Sequence, residues 1–518
     1  MRWSGWKVCA VLVRLIVMAL PGGSIAAAPS PEVVVDGGRI QGRLDGGVNA
    51  FQGIRYAAAP IGDLRWRDPQ RVLPWLGVRP ALQPGASCIQ NPQLSIANGG
   101  DPRPTSEDCL FLNVWAPVPE AGAVLKRPVM VWLHGGALVF GSGGLPVYDG
   151  AALAARGAVV VTVNYRLGAL GFFAHPSLAT EGDGDVNFGL LDQIAALRWV
   201  QRNIANFGGD PDNVTVFGQS AGAESVLALF TSPLASGLFH KGIAQSPYGI
   251  PSHTLAKARA TAANVATALK LNGAKATAAE LRAVPAQAFA ALDGKAESLA
   301  PSFVVGDRAL PQPILASFQK GSEAKLPLII GNTSDDGSVA GAFGMDPAAL
   351  VKKLGVARIA VKSLYPKELT DAQLGRETAR DLVFTAFARR LAYLHSSRAP
   401  TWRYYYGYVG EGVRGQQAGV PHGAEIPFTM ATLAGCGCLG APATAQDRAA
   451  AQRVSQHWLD FASTGTPVPT DAARWPRDDP RSAKLLEFGD TDTVQADFMQ
   501  RRLNAFIGTL NLAGLFGP

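Results

Sequence analysis

The chain is poor in charge and in sulfur. Of its 518 residues only 17% are Asp, Glu, Lys or Arg, against about 25% in an average soluble domain, and there are only five cysteines and six methionines. With 47% hydrophobic residues, this composition excludes disorder and provides for a large buried core. Basic residues exceed acidic ones by only 7 and do not cluster in long runs, which excludes a nucleic-acid binder. Internal repeats and low-complexity linkers are also missing. No apolar stretch approaches the roughly 20 residues of a membrane span. The expectation is one domain over residues 29–518 with no integral membrane segment.

Acidic residues are absent from residues 1–28. There Arg2, Lys7 and Arg14 lead into the apolar run Leu15 to Leu20, then Pro21-Gly22-Gly23 and the small residues Ala26 to Ala28. That is the pattern of a secretory signal peptide cut near 26–28, and it places the protein in the periplasm or outside the cell. Its removal takes Cys9 with it and leaves Cys88, Cys109, Cys436 and Cys438 in an oxidising compartment. Cys88 and Cys109 are the preferred pair, because closing a loop of about 20 residues stabilises by about 3 kcal/mol on the chain-entropy model. A bridge between Cys436 and Cys438 would close a very small ring, strained and readily reduced. Two thiolates are also too few for a structural zinc site. The leading reading is a strained or unformed bridge with no role; the alternative is that the pair stiffens a substrate loop.

Apolar β-branched runs alternate with helical patterns along the chain. Val129 to Leu133, Val159 to Val163, Val214 to Phe217, Leu328 to Ile330 and Tyr404 to Tyr408 read as buried strands. Leu191 to Ile204 and Arg448 to Phe461 read as amphipathic helices. The alternation predicts an α/β fold with a mostly parallel sheet covered on both faces. Val33 to Asp36 and Arg39 to Gln41 flank Gly37-Gly38, a hairpin signal expected at the edge of that sheet. Residues 252–300, with the Ala-rich stretch Leu255 to Leu292, read as a helical insertion over one end of it.

The segment Val214 to Gly222 is the most informative. An apolar strand runs directly into Gly218-Gln219-Ser220-Ala221-Gly222 and then a helical pattern, the context of a nucleophile elbow in which Ser220 is held out at a sharp turn. The strand Val129 to Leu133 likewise ends in His134-Gly135-Gly136-Ala137. A Gly-rich loop there can offer backbone N–H groups to an oxyanion, with Ala221 as a further donor. A serine nucleophile needs a base, and the chain order serine, acid, histidine leaves His395, His422 and His457. His395 and His457 fall in helical patterns. His422 follows a strand and a Gly-rich loop, where catalytic groups gather in open α/β sheets. For the acid, the strand Leu326 to Ile330 leads into Gly331 to Ser338, where Asp335 and Asp336 are equally placed.

Further segments carry a resemblance. Phe51 to Tyr56, Ser106 to Asn113, Asn164 to Gly168, Asn187 to Gln193 and Phe207 to Pro211 resemble those of the type-B carboxylesterases, the family that includes the cholinesterases, and the likeness covers nearly the whole chain after residue 28. The resemblance implies the α/β-hydrolase fold, a small-molecule ester as substrate, no metal or organic cofactor, and a Cys88–Cys109 disulfide. It also implies Ser220 as nucleophile, His422 as base, Asp336 rather than Asp335 as the orienting acid, and Gly136, Ala137 and Ala221 as oxyanion donors. The chain departs from the family pattern with Asp at 336 in place of Glu, Gln219 in place of the Glu before the serine, and Ala137 in place of the third Gly. No Trp lies between Cys88 and Cys109 to hold a quaternary ammonium by cation–π attraction, so choline esters are not expected substrates. The competing reading is a cholinesterase-like adhesion protein that keeps the fold without the chemistry. No sequence signal bears on the oligomeric state.

Overall fold

Residue parity along the strands of this computed structural model assigns alternate side chains to two different cores. The structure describes residues 30–512 apart from 98, 120–125, 180–183, 251, 294–301, 344–345, 436–438, 469, 472–473 and 480–483. The expected signal segment and the Cys436–Cys438 pair lie outside the described residues. Eleven strands form the main sheet: β1 (Arg43–Asp45), β2 (Val48–Arg55), β3 (Phe111–Pro117), β4 (Arg127–Leu133), β5 (Val159–Val163), β6 (Gly209–Gln219), β7 (Lys241–Gln245), β8 (Leu328–Thr333), β9 (Thr401–Tyr406), β10 (Leu485–Phe488) and β11 (Thr493–Gln495). Their spatial order is β11-β10-β9-β8-β7-β6-β4-β5-β3-β2-β1. From β10 to β5 the neighbours are parallel, and both margins are antiparallel.

Val129, Val131, Leu133, Val214, Val216, Leu328 and Ile330 point into one core, shared with α1 (Phe188–Asn203), α2 (Ala221–Thr231) and α3 (Ala386–Ser396). Met130, Trp132, Phe217, Ile243, Ile329 and Trp402 point into the other, closed by α4 (Ala445–Thr464). A period of two on a sheet buried on both faces produces this division, and it explains why these strands read as unbroken apolar runs.

Two expectations need correction. The Gly37-Gly38 hairpin forms, with Val33 opposite Ile40, but it joins Val78–Pro80 in a separate three-stranded sheet and does not edge the main one. Trp75 packs over its turn so closely that a Cβ on Gly37 would lie 2.1 Å from the indole. Strand β9 spans Thr401–Tyr406, three residues upstream of its expected start. Its Arg403 interrupts the apolar pattern yet is buried, because its guanidinium donates to Asp478 at 2.5 Å.

Between β7 and β8 lie the helices Leu255–Ala268, Ala278–Ala283 and Ala286–Ala290. Arg65 ties them to the N-terminal part of the chain by donating to the Arg282 and Val284 carbonyls at 3.2 and 2.7 Å. Among the described residues, no helix is long and apolar enough to cross a membrane.

Candidate active site

Four loops leave the carboxyl ends of β4, β6, β8 and β9 on the same side of the sheet. Ser220 sits between β6 and α2 with φ 57° and ψ −122°. A non-glycine residue there costs about 1–3 kcal/mol and persists only where its surroundings enforce it. Here the Ser220 N–H donates to Gln245 O at 2.8 Å, and its carbonyl accepts from Glu224 N at 3.0 Å. The flanking glycines serve close approach: a Cβ on Gly222 would lie 2.0 Å, and one on Gly218 2.6 Å, from Leu133 O. Side chains at either position would push the turn off β4 and move the serine.

The loop after β9 brings His422 to the loop after β8. Nδ1 of His422 donates to Asp336 Oδ1 at 2.6 Å, and the His422 N–H donates to Ser338 Oγ at 2.9 Å. Asp336 is wholly buried. Its other oxygen accepts from Thr333 N at 2.8 Å and Ser246 Oγ at 2.9 Å, so both carboxylate oxygens are engaged and the group is held in place. Asp335 faces away and pairs with Arg376. Adjacent residues on this turn thus point in different directions, which separates two acids that the sequence left equivalent. On the far side of the ring, Nε2 meets the Gln219 amide at 3.1 Å, and the Phe384 ring lies 5.2 Å from the imidazole centroid.

The loop after β4 is strained throughout, with φ of 100° at Gly136, 52° at Ala137 and 60° at Leu138. Among the described residues, the N–H groups of Gly136, Ala137 and Ala221, the expected oxyanion donors, have no protein acceptor. His134 does not belong to the chemistry. Its ring stacks on Tyr165 at 4.3 Å, Tyr165 OH donates to its carbonyl at 2.7 Å, and burial pulls its pKa down to about 4. Gln90 anchors the loop's far end, donating to Gly141 O and accepting from Gly141 N, both at 2.9 Å. It also donates to the carbonyl of Cys88, which is joined to Cys109 by a disulfide.

Several participants escaped the sequence reading. Ser246, with φ 52°, is a second strained serine and supports Asp336. Glu425, three residues past His422, is wholly buried and accepts from Gln245 at 3.2 Å; burial pushes its pKa up to about 7, and the nearby Asp336 adds to this. Phe384 lies in a π-helical turn, Arg380–Thr385, whose Val383 carbonyl accepts from Gly249 N at 2.8 Å. The Ala-Glu pair after His422-Gly423 offered a visible polar residue in an apolar context. The remaining contacts join segments with no signal linking them.

A twisted, largely parallel sheet with a strained serine after β6, an imidazole–carboxylate pair after β9 and β8, and free N–H groups after β4 defines an α/β-hydrolase. The chain belongs to the Carboxylesterase family, whose profile matches residues 29–376 and 366–506, and it is a carboxylic ester hydrolase. Among its relatives, the fumonisin B1 esterase of Sphingopyxis macrogoltabida is 36% identical over 489 residues, covering 90% of this chain and 88% of that protein. The para-nitrobenzyl esterase of Bacillus subtilis (strain 168) is 36% identical over 479 residues, covering 89% and 95%. A solved PNB esterase superposes with a TM-score of 0.80 at 32% identity over 92% of this chain and 99% of its own. A Geobacillus stearothermophilus carboxylesterase gives 0.80 at 31% over the same shares.

Proposed function

We propose that the protein is a serine esterase that cleaves small carboxylic esters through an acyl-enzyme on Ser220, with His422 as base and Asp336 as the acid that orients it. One observation carries the reading: the 2.6 Å bond from His422 Nδ1 to a buried Asp336 held by Thr333 and Ser246 leaves the other ring nitrogen facing the elbow that holds Ser220. In the reaction, His422 Nε2 takes the Ser220 hydroxyl proton as Oγ bonds to the ester carbonyl carbon. The resulting oxyanion is held by the Gly136, Ala137 and Ala221 N–H groups, and Asp336 stabilises the imidazolium. The carbon–alkoxy bond then breaks, and the alkoxide leaves with the proton from Nε2. Water repeats the sequence on the acyl-enzyme and releases the acid.

The names of the relatives, para-nitrobenzyl esterase and fumonisin B1 esterase, support a small-molecule ester as substrate. The lack of Trp between Cys88 and Cys109 argues against choline esters. The same reading includes export to the periplasm or beyond, supported by the signal-type segment and by a disulfide, a bond that persists in oxidising compartments. An organophosphonate should label Ser220, and the untreated protein should hydrolyse nitrophenyl esters of graded acyl length that the Ser220→Ala variant leaves intact. Label on another residue, or undiminished hydrolysis by that variant, overturns the proposal.

A further inference from the structure

Gln219 is the last residue of β6 and immediately precedes Ser220; it is only 4% exposed. Its amide nitrogen lies 3.1 Å from His422 Nε2. Because Nδ1 faces a carboxylate, Nδ1 carries the hydrogen and Nε2 the lone pair, so the Gln219 N–H is the donor. Gly135 makes room for the side chain at one end, and Gly423 lies against it in ordinary contact at the other. A Cβ on Gly135 would lie 3.0 Å from Gln219 Oε1, and a Cβ on Gly423 3.5 Å from its Nε2. The carboxamide therefore spans from the loop after β4 to the loop after β9, past the nucleophile.

A neutral imidazole has one lone pair. The Ser220 hydroxyl must donate to it before the serine can attack, yet in this structure the Gln219 amide holds it. We propose that Gln219 is a positioning residue that parks the base: it competes with Ser220 for His422 Nε2 and releases the imidazole when the serine turns to react. The inference rests on the esterase reading above. Asp336 faces His422 from the loop after β8, with Asp335, Arg376 and Arg380 behind it, Glu425 lies on its own loop, and Phe384 packs against the ring. Among the described residues, only Gln219 hydrogen-bonds Nε2.

Two variants test this through readouts that a purely structural role would not move. Gln219→Glu replaces a donor with a carboxylate that favours a protonated Nε2, so the acid limb of the kcat/KM profile should move to higher pH by about one unit or more. Gln219→Met keeps the length and removes the donor. Above the acid limb, its Ser220 should react with an organophosphonate about two- to tenfold faster than in the wild type, the factor expected when one competing hydrogen bond is lost. An unmoved limb in Gln219→Glu, or an unchanged or slower labelling rate in folded Gln219→Met, overturns the inference. Should Gln219→Met not fold, the limb of Gln219→Glu decides alone. Failure of the wild type to label at Ser220 would instead overturn the esterase reading itself, so the two failures are distinct.

Discussion

His422 with Asp336 and His395 with Glu323 are both imidazole–carboxylate pairs withdrawn from water, at 2.6 and 3.1 Å. They differ at the second ring nitrogen. His395 sits on α3 with its Nε2 against Leu326 O at 2.8 Å, packed by the rings of Phe230 and Phe318. Both of its ring nitrogens meet acceptor oxygens, and the ring pins a helix to the segment that leads into β8. The Nε2 of His422 instead faces an amide donor beside a serine. The carboxylate is common to both sites; what separates the proposed base from the brace is what the opposite nitrogen meets.

The sharpest break of that comparison would come from deletion of each ring. His422→Ala and Ser220→Ala should each lower nitrophenyl ester hydrolysis by about 10⁴–10⁶-fold, with the double variant little worse, since such groups act as a unit. His395→Ala should keep kcat/KM within about tenfold in the molecules that fold, and lose stability by about 2–4 kcal/mol in urea unfolding. Near-wild-type turnover in a folded His422→Ala variant would erase the distinction.

Next come the two neighbouring acids. Asp336→Asn should cost about 10⁴-fold in kcat, the loss seen when a serine-protease triad acid becomes an amide. Asp335→Asn should cost less than about tenfold, because its partner is Arg376. The reverse ranking would reassign the orienting role.

Glu323→Gln tests the brace. Burial pushes the Glu323 carboxyl up, but hydrogen bonds from His395, its own backbone and Lys325 outweigh this and hold it below the usual range. A depressed acid contributes stability above its unfolded value, which is lost as pH falls through the folded one. The variant should therefore be less stable by about 1–3 kcal/mol at pH 7 and approach the wild type in acid, as measured by urea midpoints. A contrasting pH dependence is expected at Glu224, a buried carboxyl with no imidazole, whose Oε1 accepts from Tyr248 N at 2.7 Å. Burial pushes it up to about 8. A raised acid destabilises progressively as pH climbs from the unfolded value of about 4.3 towards the folded one. Glu224→Gln should flatten that slope, and a parallel pair of stability–pH curves would count against it.

The parallel centre of the sheet was legible because burial on both faces makes β4, β5 and β8 continuous apolar runs, and the motif residues fall at their ends. Strands β1, β10 and β11 were not, being only three or four residues long, and β2, β3 and the central β7 escaped because polar residues and glycine interrupt their apolar pattern. Ser220 and His422 were singled out by local context and chain order, and the structure places both at the elbow and loop those signals mark. Asp335 and Asp336 could not be separated locally, because what divides them is an arginine on a distant helix and the hydrogen bonds of Thr333 and Ser246. Glu323 and His395 lie 72 residues apart, and nothing in either segment announces the other.

Gln90 hydrogen-bonds both the Cys88 carbonyl and Gly141, so the loop that presents Gly136 and Ala137 hangs from a covalent staple. The ladders of the main sheet do not pass through that staple. The far end of that loop is therefore fixed by a side chain 51 residues upstream, next to a cysteine that is itself cross-linked to the segment that leads into β3.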